Sequence, residues 1–235
     1  MNYAIIAAGN GERLTREGLG VPKPMAEITP GTTLLQRLLD IFVSCRAERI
    51  RIIINAHTPA LKAYVDSLTP HYPLETVCRS TSGSLESLME LQLPADRQWV
   101  VTTVDTVFPQ SIFSDMVQRF ASLKPDAMMG LTPYVDDEKP LYALVNGERV
   151  TGYFDSRPEA PAGSGIMVSG GIYGLGPEAL RLLAECRRLG LTRMRQYQKL
   201  LVERGLDVRY CTFPCIVDVD HLSDLNQARK LILNQ

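Results

Sequence analysis

Residues 4–28, AIIAAGNGERLTREGLGVPKPMAEI, decide how this chain begins to fold. A short apolar run, typical of a buried strand, leads into the glycines of residues 9–11. Arg13 and Lys23 follow, the lysine between two prolines. Glycines permit positive φ angles and let backbone N–H groups approach oxygen atoms closely. The segment therefore predicts a first strand of an α/β sheet that ends in an anion-binding loop.

The composition is ordinary for a globular protein: of 235 residues, 45% are hydrophobic and 22% are charged. The net charge of −1 provides no basic field that would favour nucleic acid as a partner. The longest apolar runs are the length of strands, so we expect no membrane association, and the N-terminus lacks the pattern of a secretion signal. The five cysteines form no C-x-x-C pair, which favours reduced thiols in a cytoplasmic protein.

Strand-like and helix-like patterns alternate along the first half of the chain. The strand-like runs are residues 3–8, 51–55, 74–78 and 99–104, and the helical patterns are residues 33–43, 59–68, 84–93 and 110–123. Such alternation places parallel strands next to one another with helices on both faces. The pattern predicts an α/β fold: a Rossmann-like three-layer α/β/α arrangement with a mostly parallel central sheet.

The second half of the chain has a different pattern. Residues 141–145 and 149–154 flank Asn146-Gly147, a strong hairpin signal. The other strand-like runs are residues 127–131, 166–175, 207–213 and 215–219, and the helical patterns are residues 177–189, 194–204 and 222–233. Residues 158–165 are rich in proline and glycine, as loops and mobile flaps are. We therefore expect a β-hairpin region added to the α/β sheet.

The glycine loop fits neither of two common nucleotide motifs. A dinucleotide site needs G-x-G-x-x-G, but Leu14 occupies the third glycine position, and residues 15–22 are poor helix formers. No G-x-x-x-x-G-K-[ST] string occurs, and a plain strand-to-loop turn stays open on the glycines alone. Pro22 and Pro24 stiffen the backbone beside Lys23 and predict an extended conformation there. With Arg13, this lysine gives two cations that suit a triphosphate.

The string AAGNGERL followed by PKPM resembles the signature of the nucleoside-triphosphate transferase family, the sugar-1-phosphate nucleotidyltransferases. The resemblance implies a Mg²⁺-dependent enzyme of the EC 2.7.7 type, which joins an NTP to a sugar 1-phosphate and releases an NDP-sugar and pyrophosphate. It implies one domain over residues 1–235, with residues 1–125 mainly binding nucleotide and residues 126–215, including the hairpin, mainly binding the acceptor. The implied nucleotide-binding residues are Ala7, Ala8, Gly9, Asn10, Gly11, Glu12, Arg13 and Lys23, of which Arg13 and Lys23 are also catalytic.

Acidic residues follow two strand-like runs. Asp105 ends the run at residues 99–104, and the carboxyl ends of strands in an α/β sheet are where ligands bind. Asp218 and Asp220 are two apart, so on a strand they share a face. The resemblance implies a metal site of Asp105 with one of these two acids. His221 stands where the family string differs, so both stay open, with Asp220 favoured; either could instead cap the last helix.

A serine-rich segment precedes the predicted helix at residues 84–93. Gly83 and Ser84 occupy the place where the family contacts the nucleotide base, so the resemblance implies a base contact there. A helix N-cap is the alternative explanation of the same residues. The identity of the base stays open.

Four residues resemble acceptor-binding positions of the family. Asp155 and Arg157 stand in the place of a hairpin that ends in E-K-P, and Ser169 and Gly171 stand in the place of N-T-G-I-Y. Because three of these replace family residues, two alternatives stay open. One is a cytidylyltransferase that acts on phosphocholine or another alcohol phosphate, and the other is a nucleotide sensor without catalysis. The sequence leaves the oligomeric state and the pathway open.

Overall fold

The computed structural model describes residues 1–134 and 139–233. The strands of this part of the chain are β1 (Asn2–Ala7), β2 (Glu27–Thr29), β3 (Thr32–Thr33), β4 (Arg49–Ile54), β5 (Leu74–Cys78), β6 (Trp99–Thr103), β7 (Thr106–Val107), β8 (Ala127–Thr132), β9 (Tyr142–Asn146), β10 (Arg149–Phe154), β11 (Ser164–Leu175), β12 (Val208–Thr212) and β13 (Val217–Asp218). The helices are α1 (Glu12–Arg16), α2 (Leu34–Ser44), α3 (Pro59–Leu68), α4 (Ser84–Glu90), α5 (Gln110–Leu123), α6 (Pro177–Arg188), α7 (Met194–Glu203) and α8 (Leu222–Leu233).

The main sheet is mixed, with the strand order β5-β4-β1-β6-β11-β8-β12-β10-β9. Strands β5, β4, β1 and β6 run parallel to one another, as the alternating pattern of the first half predicts. Strand β11 runs antiparallel to β6, β8 and β9, and β9 and β10 form the hairpin predicted around Asn146-Gly147. The α/β prediction is confirmed, but the expectation of a mostly parallel sheet is wrong, because β11 and the hairpin pair antiparallel with their neighbours.

Two hydrophobic cores cover the two faces of the sheet. Successive residues of β1 alternate between them: Tyr3 and Ile5 pack with residues of α2, α3 and α5, whereas Ala4 and Ile6 pack with residues of α4, α6 and α7. All four are at most 7% exposed. Because both faces of β1 are buried, its sequence is a continuous apolar run rather than an alternating one. Each large apolar side chain so buried stabilises the fold by roughly 1.5–3 kcal/mol.

The segment after the glycine loop contains two short helical turns. Helix α1 begins directly after Gly11, and residues 23–25 form a 3-10 turn in which the Met25 N–H donates to the Pro22 carbonyl at 2.8 Å. The expectation that Lys23 is extended is therefore wrong. Pro24 is tolerated in this turn because the first residues of a helical turn need no N–H donor.

A smaller apolar cluster joins α1, β7, β13 and α8 beside the sheet, through Leu14, Val107, Val217 and Leu225 among others. It fixes the segments that carry the polar residues described below. Among the described helices, none combines the length and the apolar character that a membrane span requires. The longest, α5, has 14 residues, whereas a span needs about 20.

Candidate active site

The glycine loop lies at the carboxyl end of β1, next to Lys23. Gly11 has a φ of 62°, in the left-handed region, and a Cβ atom there would lie 3.2 Å from the Lys23 Cβ. Both the backbone conformation and the close approach therefore favour glycine at this position. The loop and the lysine side chain consequently face the same space.

That space is a pocket of about 290 Å³, called here the nucleotide pocket. It brings together most residues that the family resemblance implies for nucleotide and metal binding. Its lining also includes polar residues that the sequence gave no signal to select. The predicted residues in its lining are Ala7, Ala8, Gly9, Asn10, Gly11, Lys23, Gly83, Ser84 and Asp105, and the unpredicted polar ones are Thr81, Ser82, Ser87 and Thr103.

Lys23 joins two carboxylates at the edge of this pocket. Its Nζ donates to Asp105 Oδ2 at 2.8 Å and to Asp220 Oδ1 at 2.7 Å. The side chain of Lys23 is 12% exposed. Burial lowers the pKa of the ammonium, but Asp105 and Asp220 outweigh that effect and raise the pKa. Burial likewise raises the pKa of Asp105, but Lys23 and a hydrogen bond from Thr103 outweigh it and lower the pKa. Lys23 and Asp105 therefore each favour the ionised form of the other.

Arg13 lies on the other side of Asp220, where its Nη1 donates to Asp220 Oδ2 at 3.0 Å. Asp220 thus contacts both cations that the sequence singles out. Asp218 has a different environment, because its Oδ1 accepts a hydrogen bond from Thr106 Oγ1 at 2.9 Å. Both acids line one pocket, which is described below.

Short backbone pairings bring these distant segments together. Strand β13 pairs with β7, so that Asp218 is opposite Thr106, and the N–H of Val219 donates to the carbonyl of Asp105 at 3.0 Å. Asp224, in the first turn of α8, then accepts the N–H of Asp220 at 3.0 Å. Pairing with β7 and capping of α8 therefore fix the position of Asp220.

A second contact ties α1 to the start of α8. Glu17 Oε2 accepts the N–H of Leu222 at 2.7 Å, and its other carboxylate oxygen contacts the His221 ring. The hydrogen bond from His221 lowers the pKa of Glu17, and the same bond raises the pKa of His221. This contact holds the loop that carries Arg13 against the segment that carries Asp220.

The serine-rich loop before α4 is bonded to the start of α7. Gly83 precedes the helix as its N-cap residue, and a Cβ there would lie 2.4 Å from the Thr192 carbonyl oxygen. Ser84 Oγ accepts the N–H of Met194 at 3.2 Å, so this serine bonds to another helix and is not the N-cap of its own. Glu86 accepts both the N–H and the hydroxyl of Ser82, at 2.6 and 2.7 Å. The loop is thus held from both sides.

Of the four residues proposed for the acceptor, Ser169 lines a second pocket, called here the acceptor pocket, together with Arg13, Asp218 and Asp220. Gly171 does not line it; a Cβ there would lie 2.1 Å from Thr106 Oγ1, so this glycine permits close packing.

The other two lie at the end of β10. Asp155 forms ion pairs with Arg195 and Lys199 of α7, which the sequence gave no reason to select. Arg157 is exposed. Among the described residues, neither pocket includes Asp155 or Arg157 in its lining.

The donor set for a metal ion is small. No group of three or more His, Cys, Asp or Glu side chains suited to a metal occurs in residues 1–134 and 139–233. Asp105 and Asp220, however, place oxygens 2.8 and 2.7 Å from the one Nζ, so both carboxylates can serve a single cation. Two carboxylates completed by phosphate oxygens and water suit a hard divalent ion such as Mg²⁺.

Residues 3–166 match the family described as the MobA-like NTP transferase domain. The chain belongs to this family. It is a nucleotidyltransferase, and members of the family generally use a divalent metal ion. The match includes the glycine loop, Lys23 and Asp105, and ends before the segment with Asp220.

Named relatives agree with this assignment. The glucose-1-phosphate cytidylyltransferase of Salmonella typhimurium is 25% identical over 207 residues, which cover 78% of each chain. A Bacillus anthracis protein described as a glucose-1-phosphate thymidylyltransferase, solved in complex with a sucrose, has a TM-score of 0.80 at 18% identity, over 98% of this chain and 94% of that one. The inositol-1-phosphate CTP transferase of T. maritima has a TM-score of 0.77 at 17% identity, over 98% and 95%. These structures share the fold of this chain.

Proposed function

We propose that this nucleotidyltransferase joins an NTP to a sugar 1-phosphate with Mg²⁺, giving an NDP-sugar and pyrophosphate. The observation that carries the proposal is the cluster of Lys23, Asp105 and Asp220, in which one ammonium lies within 2.8 Å of two carboxylates at the edge of the nucleotide pocket. The name of the Salmonella relative supports glucose 1-phosphate as the first acceptor to test and CTP as the first nucleotide.

The nucleotide pocket has the features that a bound NTP requires. Backbone N–H groups of residues 9–11 can approach phosphate oxygens closely, since Gly9 and Gly11 carry no side chain. Arg13 can bind a phosphate through two donors, and Lys23 adds a point charge. The loop of Thr81 to Ser84 offers hydroxyl and backbone groups for the base. These contacts would bind and orient the triphosphate.

Asp105 and Asp220 would hold the Mg²⁺ ion. The ion supplies charge stabilisation to the phosphates when it is bound. Lys23, which neutralises the same carboxylates here, would then be available to the α-phosphate or to the acceptor phosphate. Exchange of ionic partners at Asp220 therefore links metal binding to the release of Lys23 and Arg13.

The reaction needs no general base on the protein. A sugar 1-phosphate is largely dianionic at neutral pH, so its attacking oxygen is already ionised. What the chain must supply is positioning and stabilisation of the negative charge that accumulates at the α-phosphate. Arg13 and Lys23 are the cations that can do this, since both lie at Asp220, between the nucleotide and acceptor pockets.

The two pockets are lined largely by different parts of the chain. The described residues of the nucleotide pocket all lie within residues 6–105, which supports residues 1–125 as the mainly nucleotide-binding part. Much of the acceptor pocket comes from residues 132–224, including Ser169. Five of its eleven lining residues lie within residues 126–215, which supports that range as one part of the acceptor site. The segment with Asp218 and Asp220 serves both.

A screen of substrates tests the proposal. CTP, UTP, dTTP, GTP and ATP would each be incubated with Mg²⁺ and one acceptor from the set of glucose 1-phosphate, inositol 1-phosphate and phosphocholine, and pyrophosphate release would be measured. Release with a sugar 1-phosphate supports the proposal. Pyrophosphate release with phosphocholine alone would show that the acceptor is an alcohol phosphate rather than a sugar 1-phosphate. Binding of an NTP without pyrophosphate release from any pair would favour a nucleotide sensor.

A further inference from the structure

One face of α7 carries two cations beside the hairpin. Arg195 and Lys199 are four apart, so they lie on the same side of the helix. Arg195 Nη1 donates to Asp155 Oδ1 at 2.9 Å, and Lys199 Nζ donates to Asp155 Oδ2 at 2.5 Å. Arg195 Nη2 also donates to the Lys139 carbonyl at 2.8 Å, which orients the guanidinium. The group of Arg195, Lys199 and Asp155, called here the α7 cluster, carries a net charge of +1.

The same helix is hydrogen-bonded to a residue that lines the acceptor pocket. Gln198 lies between the two cations in sequence, is 2% exposed, and accepts a hydrogen bond from Ser169 Oγ at 2.6 Å. Ser169 lines the acceptor pocket together with Asp218 and Asp220. An acceptor in that pocket can therefore contact both Asp220 and Ser169, and the hydroxyl of Ser169 is bonded to α7.

The electrostatics of Tyr173 support this arrangement. Burial raises the pKa of its hydroxyl, the carboxylates of Asp218 and Asp105 raise it further, and Arg195 lowers it. Charges from the metal side and from α7 thus act on one buried group.

Asp155 holds these cations loosely. Its side chain is 57% exposed, and those of Arg195 and Lys199 are 31% and 29% exposed. Exposed ion pairs contribute little net stability, so another anion can replace Asp155 at small cost. The planar guanidinium presents paired donors that suit a carboxylate or a phosphate. The cationic choline group of phosphocholine, in contrast, would meet two positive charges and a carboxylate that is already paired with them.

We propose that the acceptor is a sugar 1-phosphate that bears a second anionic group, which Arg195 and Lys199 bind in place of Asp155. This inference rests on the proposed nucleotidyl transfer and names the class of its acceptor. The reacting 1-phosphate lies towards Lys23, because it must reach the α-phosphate of the nucleotide. The second anion lies towards α7. The specificity of the enzyme is thereby set by charge at the far end of the sugar.

Three acceptors with one sugar ring test the inference: glucose 1-phosphate, glucuronic acid 1-phosphate and glucose 1,6-bisphosphate. They differ at C6, which carries a hydroxyl, a carboxylate or a phosphate, so the two anions distinguish the sources of the charge. The measurement is kcat/KM for pyrophosphate release with CTP, or with the best nucleotide from the screen. We expect at least one anionic acceptor to exceed glucose 1-phosphate.

The variant Arg195→Gln with Lys199→Gln should lower the ratio of anionic to neutral kcat/KM by about ten- to hundred-fold, as loss of hydrogen bonds to a charged group does. The control is Arg181→Gln with Arg188→Gln, which removes two exposed positive charges from α6 and should leave the ratio unchanged. Because a ratio is measured, a general loss of folded protein does not alter it.

Three results would overturn the inference. The wild-type enzyme could prefer the neutral acceptor, the ratio could stay the same in the α7 variant, or all three acceptors could lose activity equally. The last result would place the two cations on the reacting phosphate. Absence of pyrophosphate release from every acceptor would contradict the proposed function instead. In that case, calorimetric binding of the three sugar phosphates to the wild-type and α7 variants decides the anion site separately.

Discussion

Asp220 should compete with phosphate for the two cations of the site. Its carboxylate accepts from Lys23 Nζ at 2.7 Å and from Arg13 Nη1 at 3.0 Å. Before a polyphosphate binds without metal, both cations must leave this carboxylate. Asp220→Asn keeps the shape of the side chain and removes its charge. We therefore predict that, without metal, the variant binds inorganic pyrophosphate or CTP more tightly than the wild-type protein.

The size of the effect follows from the two ion pairs. The pair with Lys23 is partly buried, since the lysine is 12% exposed, and a charged hydrogen bond of this kind contributes about 1.5 kcal/mol. The pair with Arg13 joins side chains that are 53% and 44% exposed, so solvent reduces it to about 0.5 kcal/mol. Together they give about 2 kcal/mol, which corresponds to about 30-fold in Kd.

Isothermal titration calorimetry in EDTA measures this effect. The matched control is Asp66→Asn, which removes an equal charge from an exposed ion pair with Lys62 on α3. The control should change Kd by less than about three-fold, in the range of a screened surface charge. Equal or weaker binding by the Asp220 variant would refute the idea that this carboxylate masks the cations.

Three further predictions follow from the same geometry. Asp105→Asn should raise the Mg²⁺ concentration needed for half-maximal activity by at least about ten-fold, since it removes one of two carboxylates, and an unchanged titration would argue against the site. Gly83→Ala should raise the KM for the nucleotide and lower the free energy of unfolding by about 1–3 kcal/mol, because its Cβ would lie 2.4 Å from the Thr192 carbonyl oxygen. Initial rates measure the KM, and urea unfolding measures the stability. Wild-type values of both would show that the loop can move to accommodate the methyl group. The pKa of Asp105 is lowered from an ordinary value near 4, so the ionised carboxylate stabilises the fold above about pH 4, and this stabilisation is lost as pH falls through the folded pKa. Asp105→Asn should therefore weaken the dependence of the free energy of unfolding on pH in the acidic range. An unchanged pH dependence in urea unfolding would contradict this assignment.

The first half of the fold could be predicted because its signals are local. The pattern at residues 110–123 predicts a helix with the observed bounds of α5, Gln110–Leu123. The apolar run of β1 indicates burial on both faces, which the two cores confirm. The antiparallel entry of β11 could not be predicted, since a period of two identifies a strand but not its neighbours or its direction. Likewise, short-range proline rules did not predict the 3-10 turn at residues 23–25.

The residues of the candidate site likewise fall into those with a local sequence signal and those that depend on long-range contacts. Arg13, Lys23 and Asp105 are found from sequence because each stands in a short ordered motif or at a strand end. The proposal of Asp220 over Asp218 rests on its contact with Lys23, which the sequence could not show. Strand β13 ends at Asp218, so the alternation of a strand does not extend to Asp220, which lies just before α8. Arg195 had no signal at all. Its ion-pair partner, Asp155, lies 40 residues earlier in the sequence, and this contact depends on how α7 packs against the hairpin.

The measurement that tests the central claim most directly is pyrophosphate release from CTP and a sugar 1-phosphate, with Mg²⁺, by the wild-type protein and by Lys23→Ala. The account predicts an NDP-sugar and pyrophosphate in equal amounts from the wild-type protein. It predicts a kcat about 10²–10³-fold lower in the variant, as for loss of one electrostatic donor elsewhere. A variant with near wild-type turnover would contradict the role given to Lys23. A wild-type protein that binds NTP yet forms no NDP-sugar with any acceptor or nucleotide would contradict the proposed function.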